Sequence, residues 1–253
     1  MKIHCDADFM IGGGHEVCQD YAAFSDGKIV LSDGCSCVRD HRGVDLHAKT
    51  DVGARLLALT MMETSSGSGL LAGMLAECSR TNLGLSKADL TATLLHARVE
   101  PNQRWVKCSC YGDGIIATRS RKSQMWRVST FDYGGYPPYL SYEIEQKWTE
   151  ERPRPDVYPE ERLVSTTNDD AVVLMSDGAN SFFRDGSSVY VMDRLLDFRR
   201  MKGRFITRQL RGVLRELSNE GIHNFDDISM AGMYLEMTED EVLELSAAEC
   251  VSV

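Results

Sequence analysis

Apolar positions in this chain gather into short runs, and three of these runs end in Asp-Gly: KIVLSDGC with Asp33, KCSCYGDGI with Asp113 and VVLMSDGA with Asp177. Runs rich in Val, Ile and Leu read as buried strands, and an aspartate at the tip of one is held rigidly while the next Gly lets another group approach the backbone. Asp-Gly is also a common two-residue hairpin turn, and Asp26-Gly27, between YAAF and KIVL, is read as that. At the other three positions the turn reading and the site reading stand side by side. The near-repeat of an apolar run plus Ser-Asp-Gly at positions 144 apart, and the surroundings of each, favour a site. Asp226 and Asp227 open a further strand-like run, DDISMAGMYLE. Carboxylates at several strand tips can meet on one rim of a sheet, where a binuclear site for hard divalent cations can be built.

The remaining pattern predicts a strand over 2–10, a Gly-rich loop at 12–14 and two strands joined at Asp26-Gly27. After a polar loop, VGARLLALTMM reads as a core-facing helix through Leu56, Leu57, Leu59, Met61 and Met62, and LLAGMLAECS as a second helix. Residues 91–130 read as a meander whose consecutive strands pair antiparallel. Five of the six prolines fall between 137 and 159, so about 132–163 is read as an exposed, irregular insertion overhanging the site. A buried strand at 171–176, a short helix around ANSFF, two helices near 190–218 and a closing strand at 228–236 follow. Strands and helices segregate rather than alternate, which predicts an α+β layered sandwich and not a doubly wound sheet. One domain over 1–236 and an acidic tail over 237–253, disordered or partner-binding, complete the expected organisation.

Length and composition narrow the function. With 253 residues the chain can bury one sizeable core, and it has no long uncharged apolar segment to span a membrane. The start, MKIHCDADFM, lacks the pattern of a signal peptide, so a cytoplasmic protein with reduced cysteines is expected. Cys108 and Cys110 share a strand face and are read as core residues rather than zinc ligands. The net charge of -10 is uneven: residues 236–253 hold six acids and no base, leaving 32 acids against 28 bases elsewhere. No basic stripe calls for nucleic acid, which also counts against a metal nuclease. The terminal CVSV lacks the polybasic stretch that accompanies a lipidation box.

Taken in order, CQDYA (18–22), VLSDGCS (30–36), DVGARLLA (51–58), YGDGI (111–115), VVLMSDGANSF (172–182) and DDISMAGM (226–233) resemble the metal-dependent protein phosphatases of the protein phosphatase 2C type. The similarity is greatest to a compact bacterial branch, and it spans about residues 10–236. Each motif is short, but their order and spacing together are specific. The resemblance implies a four-layer α-β-β-α sandwich of two antiparallel sheets flanked by helix pairs. It implies hydrolysis of phosphoserine and phosphothreonine in phosphorylated proteins, with a Ser/Thr kinase as the opposing partner.

Carried over by position, the resemblance implies that Asp33 bridges two Mn2+ or Mg2+ ions, with the Gly34 carbonyl on one of them. Asp177 and Asp226 would hold the other ion, Asp20 would contact metal-bound water, and Asp113 would help hold a third, weaker ion. Asp226 is favoured over Asp227 as the ligand. Two adjacent cations lower the pKa of a bridging water from about 15.7 toward neutrality and neutralise phosphate charge, so no covalent phosphoenzyme is needed.

The chain departs from the family pattern at three points. Gln19 stands where many members have Glu, His15 where many have a phosphate-binding arginine, and Cys35 where animal members have a histidine proposed as general acid. Protonated His15 can donate to phosphate, and Arg39, His41 or Arg42 in the loop after Cys35 are the candidates to substitute for the missing histidine. These departures support a second expectation from a different class, a pseudophosphatase in which the same fold acts as a binding module.

Overall fold

The computed structural model describes residues 1–35, 38–39, 45–46, 49–64, 73, 84–86, 88–133, 137–143, 158–182 and 187–250. Two five-stranded sheets dominate it, and every strand pair is antiparallel. One sheet runs in the order β1 (Lys2–Met10), β12 (Ile228–Glu236), β11 (Asp169–Met175), β8 (Gly114–Ser120), β9 (Trp126–Phe131). The other runs β10 (Glu160–Ser165), β7 (Trp105–Tyr111), β6 (Leu94–Val99), β3 (Lys28–Asp33), β2 (Asp20–Ser25). Two short strands, β4 (Val38–Arg39) and β5 (Asp45–Leu46), pair with each other. Four helices are described: α1 (Thr50–Glu63), α2 (Ser187–Leu196), α3 (Phe205–Asn219) and α4 (Glu239–Cys250).

Alternation along the strands builds three cores. Ile29, Leu31, Leu95, Cys108 and Cys110 meet Ile116, Val172, Leu174 and Met233 between the two sheets. Val30 and Leu94, on the opposite face, pack under Ala54, Leu57, Ala58 and Met61 of α1. Val173, Met175 and Met230 pack under α2 and α3 through Val191, Leu195, Ile206 and Leu210. The result is the expected α-β-β-α layering, with β11 buried throughout because a helix layer and a sheet cover its two faces. Cys108 and Cys110 are free, buried thiols, as their shared face requires.

The meander expectation fails at one junction. β6 and β7 pair, and β8 and β9 pair, but β7 and β8 lie in different sheets. Both edges of β7 are filled by β6 and β10, and both edges of β8 by β11 and β9, so the chain crosses between layers instead of folding back. Gly112, at φ +86°, lies in the left-handed region that lets it do so, and Asp113 rides on the crossing. The expected insertion is also more regular at its end than the sequence suggested. Residues 160–163 belong to β10, an edge strand with a well-registered ladder to β7, and Leu140–Glu143 form a 3₁₀ turn.

Part of the acidic tail is helical. Thr238 starts α4 through a capping box: its backbone N–H donates to Glu241 Oε2 (2.8 Å), and the Glu241 N–H donates to Thr238 Oγ1 (3.2 Å). Glu241 also pairs with the amino group of Met1. The expected second helix over 70–79 and the loop cations His41 and Arg42 lie outside the described residues, as does the side chain of Arg39. No helix among the described residues is long and apolar enough to cross a membrane.

Candidate active site

Asp20 and Asp33 come from adjacent strands and are direct partners in the β2–β3 register. Side chains opposite one another in an antiparallel pair stand on the same face, about 5 Å apart at Cβ. The second sheet brings Asp177, first residue of the 3₁₀ turn after β11, to the same rim. The Asp33 carboxyl lies within hydrogen-bonding reach of both Asp20 and Asp177. Burial, and then the charges of Asp20 and Asp177, raise its pKa well above the usual carboxylate range.

Asp20 is almost wholly buried, and burial pushes its pKa up to about 6 against the opposing pull of neighbouring Asp33, Ser229 and Ser176. Its Oδ2 accepts a bond from Ser176 Oγ at 2.7 Å, and that same hydroxyl accepts the Ser229 N–H at 3.0 Å. Ser176 therefore ties the two sheets together beneath the acids. Asp20 Oδ1 is buried and has no hydrogen-bond donor among the described residues. Its neighbour Asp33, when ionised, only accepts.

Asp226 and Asp113 extend the acidic rim, each close enough to Asp177 to feel its charge. Burial first, and the Asp177 charge next, raise the pKa of Asp226. Asp113 is raised by burial and by Asp177, with the Tyr133 N–H, which donates to its Oδ1 at 2.9 Å, pulling the other way. Asp227 has a different post. It is buried and accepts the N–H groups of Gly12 (2.8 Å) and Gln19 (2.5 Å), while His15 Nδ1 lies 3.0 Å from its Oδ2. That division leaves Asp226, whose side chain is 36% exposed, facing outward while Asp227 fastens the loop at 12–19 to β12.

His15 sits between the two, with Nε2 3.5 Å from Asp226 Oδ1. Burial works against the charged imidazole, but Asp227 and Asp226 outweigh it and raise its pKa. Gln19 donates from Nε2 to Thr50 Oγ1 at 3.0 Å. Gly34 is fixed by its N–H, which donates to the Gln19 carbonyl at 3.1 Å, and Cys35 by its own to the Thr91 carbonyl at 3.0 Å. Gly178 is needed for close approach: a Cβ there would lie 1.7 Å from the Asp227 carbonyl oxygen.

The structure thus brings Asp20, Asp33, Asp113, Asp177 and Asp226 to one rim as a chain of neighbours. Among the described residues, no three His, Cys, Asp or Glu side chains close on a single coordination point. The donor set nevertheless fits hard divalent cations. It is all oxygen, it sets the Asp33 carboxyl within reach of Asp20 on one side and Asp177 on the other, and it includes a buried oxygen, Asp20 Oδ1, with no donor among the described residues. Sequence reading missed Ser176 and Ser229. The available signal was the serine of the repeated Ser-Asp-Gly, although at the first copy Ser32 bonds elsewhere, donating to the Thr93 carbonyl at 2.6 Å.

The model of the protein phosphatase 2C family matches residues 13–215. Among solved structures, the chain is similar to the serine/threonine phosphatase PstP/Ppp of Mycobacterium tuberculosis at 14% identity and a TM-score of 0.59, covering 94% of this chain and 100% of that one. A second is the catalytic domain of PstP in complex with two manganese ions, at 14% identity and a TM-score of 0.57, covering 92% and 99%. A third is a serine/threonine phosphatase of Staphylococcus aureus, at 13% identity and a TM-score of 0.59, covering 94% and 96%. At such identities these likenesses speak for the fold alone. No curated protein sequence matches the chain. With a family model matched across most of its length and the sandwich that family adopts, the chain belongs to the protein phosphatase 2C family.

Proposed function

We propose that the protein is a metal-dependent phosphatase acting on phosphoserine and phosphothreonine in proteins. The observation that carries this reading is Asp33, set between Asp20 of its own sheet and Asp177 of the other. Asp33 and the Gly34 carbonyl, with Asp177 and Asp226, would hold two Mn2+ or Mg2+ ions, and Asp113 would help hold a third. Such ions supply an activated water and neutralise phosphate charge. The chain's own residues do the rest. Ser176 orients Asp20 by its 2.7 Å bond, so that Asp20 can take up a proton from water at the rim. His15, held beside Asp227, would when protonated present a cation next to Asp226 that can orient the phosphate dianion. A phosphorylated protein is the substrate, and a Ser/Thr kinase would be the opposing partner.

Two observations favour a second reading, a pseudophosphatase that binds phosphoproteins without turnover. Gln19, a neutral residue where many family members have Glu, donates to Thr50, and among the described residues the acids do not close on one point. Hydrolysis of p-nitrophenyl phosphate and of a phosphothreonine peptide, with and without Mn2+, separates the two. The enzyme reading expects manganese-dependent turnover that falls at least a hundredfold in Asp33→Asn. Turnover absent under both conditions, or unimpaired in that variant, rejects it.

A further inference from the structure

At the other ends of the strands, roughly 20 Å from Asp113 along β8, the two sheets leave a cavity of about 730 Å³. The β8–β9 turn and the β10–β11 turn form its polar side, and they are stitched together by the Arg121 N–H donating to the Asn168 carbonyl at 2.8 Å. Its charge runs opposite to that of the chain as a whole. Arg121, Lys122 and Arg127 line it, and the one acid among its lining residues, Asp169, is already engaged by Arg127 at 2.5 Å. The adjacent Asp170 is held in a bidentate grip by Arg119 at 2.8 and 3.0 Å.

Arg121 is the fixed element. Its Nη2 donates to the carbonyls of Thr166 (3.0 Å), Leu235 (3.1 Å) and Asp169 (3.4 Å), which pins the guanidinium at the cavity. Its Nε is buried and finds no acceptor among the described residues. A buried, unpaired guanidinium N–H favours whatever brings an acceptor to it. Apolar residues line the same cavity: Trp105, Val242 of α4, and Leu163, which is 64% exposed.

We propose that this cavity binds a small organic phosphate bearing a ring, of the nucleotide kind. Arg121, Lys122 and Arg127 would receive the phosphate, and Trp105 and Leu163 the ring. The volume falls within the range of small-molecule sites. Because its one lining acid, Asp169, is already paired with Arg127, the cavity is built to bind rather than to hydrolyse. It does not depend on the activity of the acidic rim.

The test is calorimetric titration of the full chain with adenosine monophosphate in excess EDTA, with adenosine and inorganic phosphate as separate probes. The expected result is one saturable site for adenosine monophosphate, with each of the other two at least tenfold weaker. Lys122→Glu and Trp105→Leu should each weaken binding at least tenfold, whereas Asp33→Asn should leave it unchanged. Circular dichroism checks that the variants are folded, and Lys122→Glu, on an exposed turn, serves if Trp105→Leu is not. Failure to saturate at millimolar nucleotide overturns the proposal. So does equal binding of inorganic phosphate, or binding that is lost in Asp33→Asn and kept in Lys122→Glu.

Discussion

Asp20 and Asp33 face each other across the β2–β3 ladder, two carboxyls at directly opposed positions, with no base between them in the register. Like charges so placed destabilise a sheet unless something neutralises them. The pair is thus both the strongest sign of a cation site and a cost to the metal-free fold.

That double role gives the first prediction. In EDTA, Asp33→Asn removes one of the crowded charges and should raise thermal stability by about 1 kcal/mol, a few degrees in Tm for a domain of this size. In Mn2+ the order should reverse, because only the wild type gains from the ion. Differential scanning calorimetry under the two conditions reads both signs, and a variant destabilised in EDTA would contradict the account of Asp33.

Gly178 places the backbone of the 3₁₀ turn against β12. Gly178→Ala would put a methyl 1.7 Å from the Asp227 carbonyl oxygen, so the Asp226–Asp227 segment must move. A loss of about 2–4 kcal/mol in urea unfolding, with Mn2+ affinity weakened at least tenfold, is expected from overpacking of this kind. An unchanged Mn2+ titration would show that Asp226 does not depend on this packing.

His96, buried on β6 with Nδ1 3.1 Å from Ser109 Oγ, has its pKa lowered to about 3 by burial and by the charges of Lys28, Arg98 and Lys107. Because the folded value lies below the unfolded one, its contribution is complete above about pH 6.5 and is lost as pH falls toward 3. At about 1.4 kcal/mol per unit the loss amounts to several kcal/mol. Asp20 acts in the opposite sense: its folded value of about 6 lies above the ordinary one, so its contribution is complete below about pH 3.8 and is lost as pH rises through 6. In metal-free protein the two trends oppose each other. Urea unfolding of His96→Asn between pH 4 and 7 should therefore show stability falling as pH rises, with the acid-side loss of the wild type removed. Parallel pH profiles for the two proteins would refute the assignment to His96.

Lys28 closes the C-terminal end of α1, donating from Nζ to the carbonyls of Met61 (2.6 Å), Met62 (3.0 Å) and Thr64 (2.6 Å). A cation there meets both the carbonyls at the end of the helix and the negative end of its dipole. Lys28→Met keeps the stem but not the donors and should cost about 2 kcal/mol in urea unfolding, with Mn2+ affinity unchanged. A cost under about 0.5 kcal/mol, the range of neutral surface changes, would show the cap to be energetically idle.

Much of this was legible in the sequence, for physical reasons. β3 and β11 are covered on both faces, so their apolar runs are continuous and the aspartates at their tips stand out. β10 escaped notice because EERLVS is an edge strand with charged, exposed positions, whose Leu163 points outward. The partition of β7 and β8 between sheets was not legible either, since both strands are mostly buried and periodicity carries no information about which neighbour pairs. The distinct posts of Asp226 and Asp227 depend on Gly12 and Gln19, more than two hundred residues away. By contrast, the Thr238-to-Glu241 capping box was readable at the start of a tail taken for disordered or partner-binding.

The most direct measurement is anomalous diffraction from a crystal soaked in Mn2+. The account predicts two manganese peaks at the rim, both within bonding distance of the Asp33 carboxylate, one also touching Asp177 and Asp226. No peak at Asp33, or peaks only at sites remote from it, would contradict the reading of this rim as a binuclear centre.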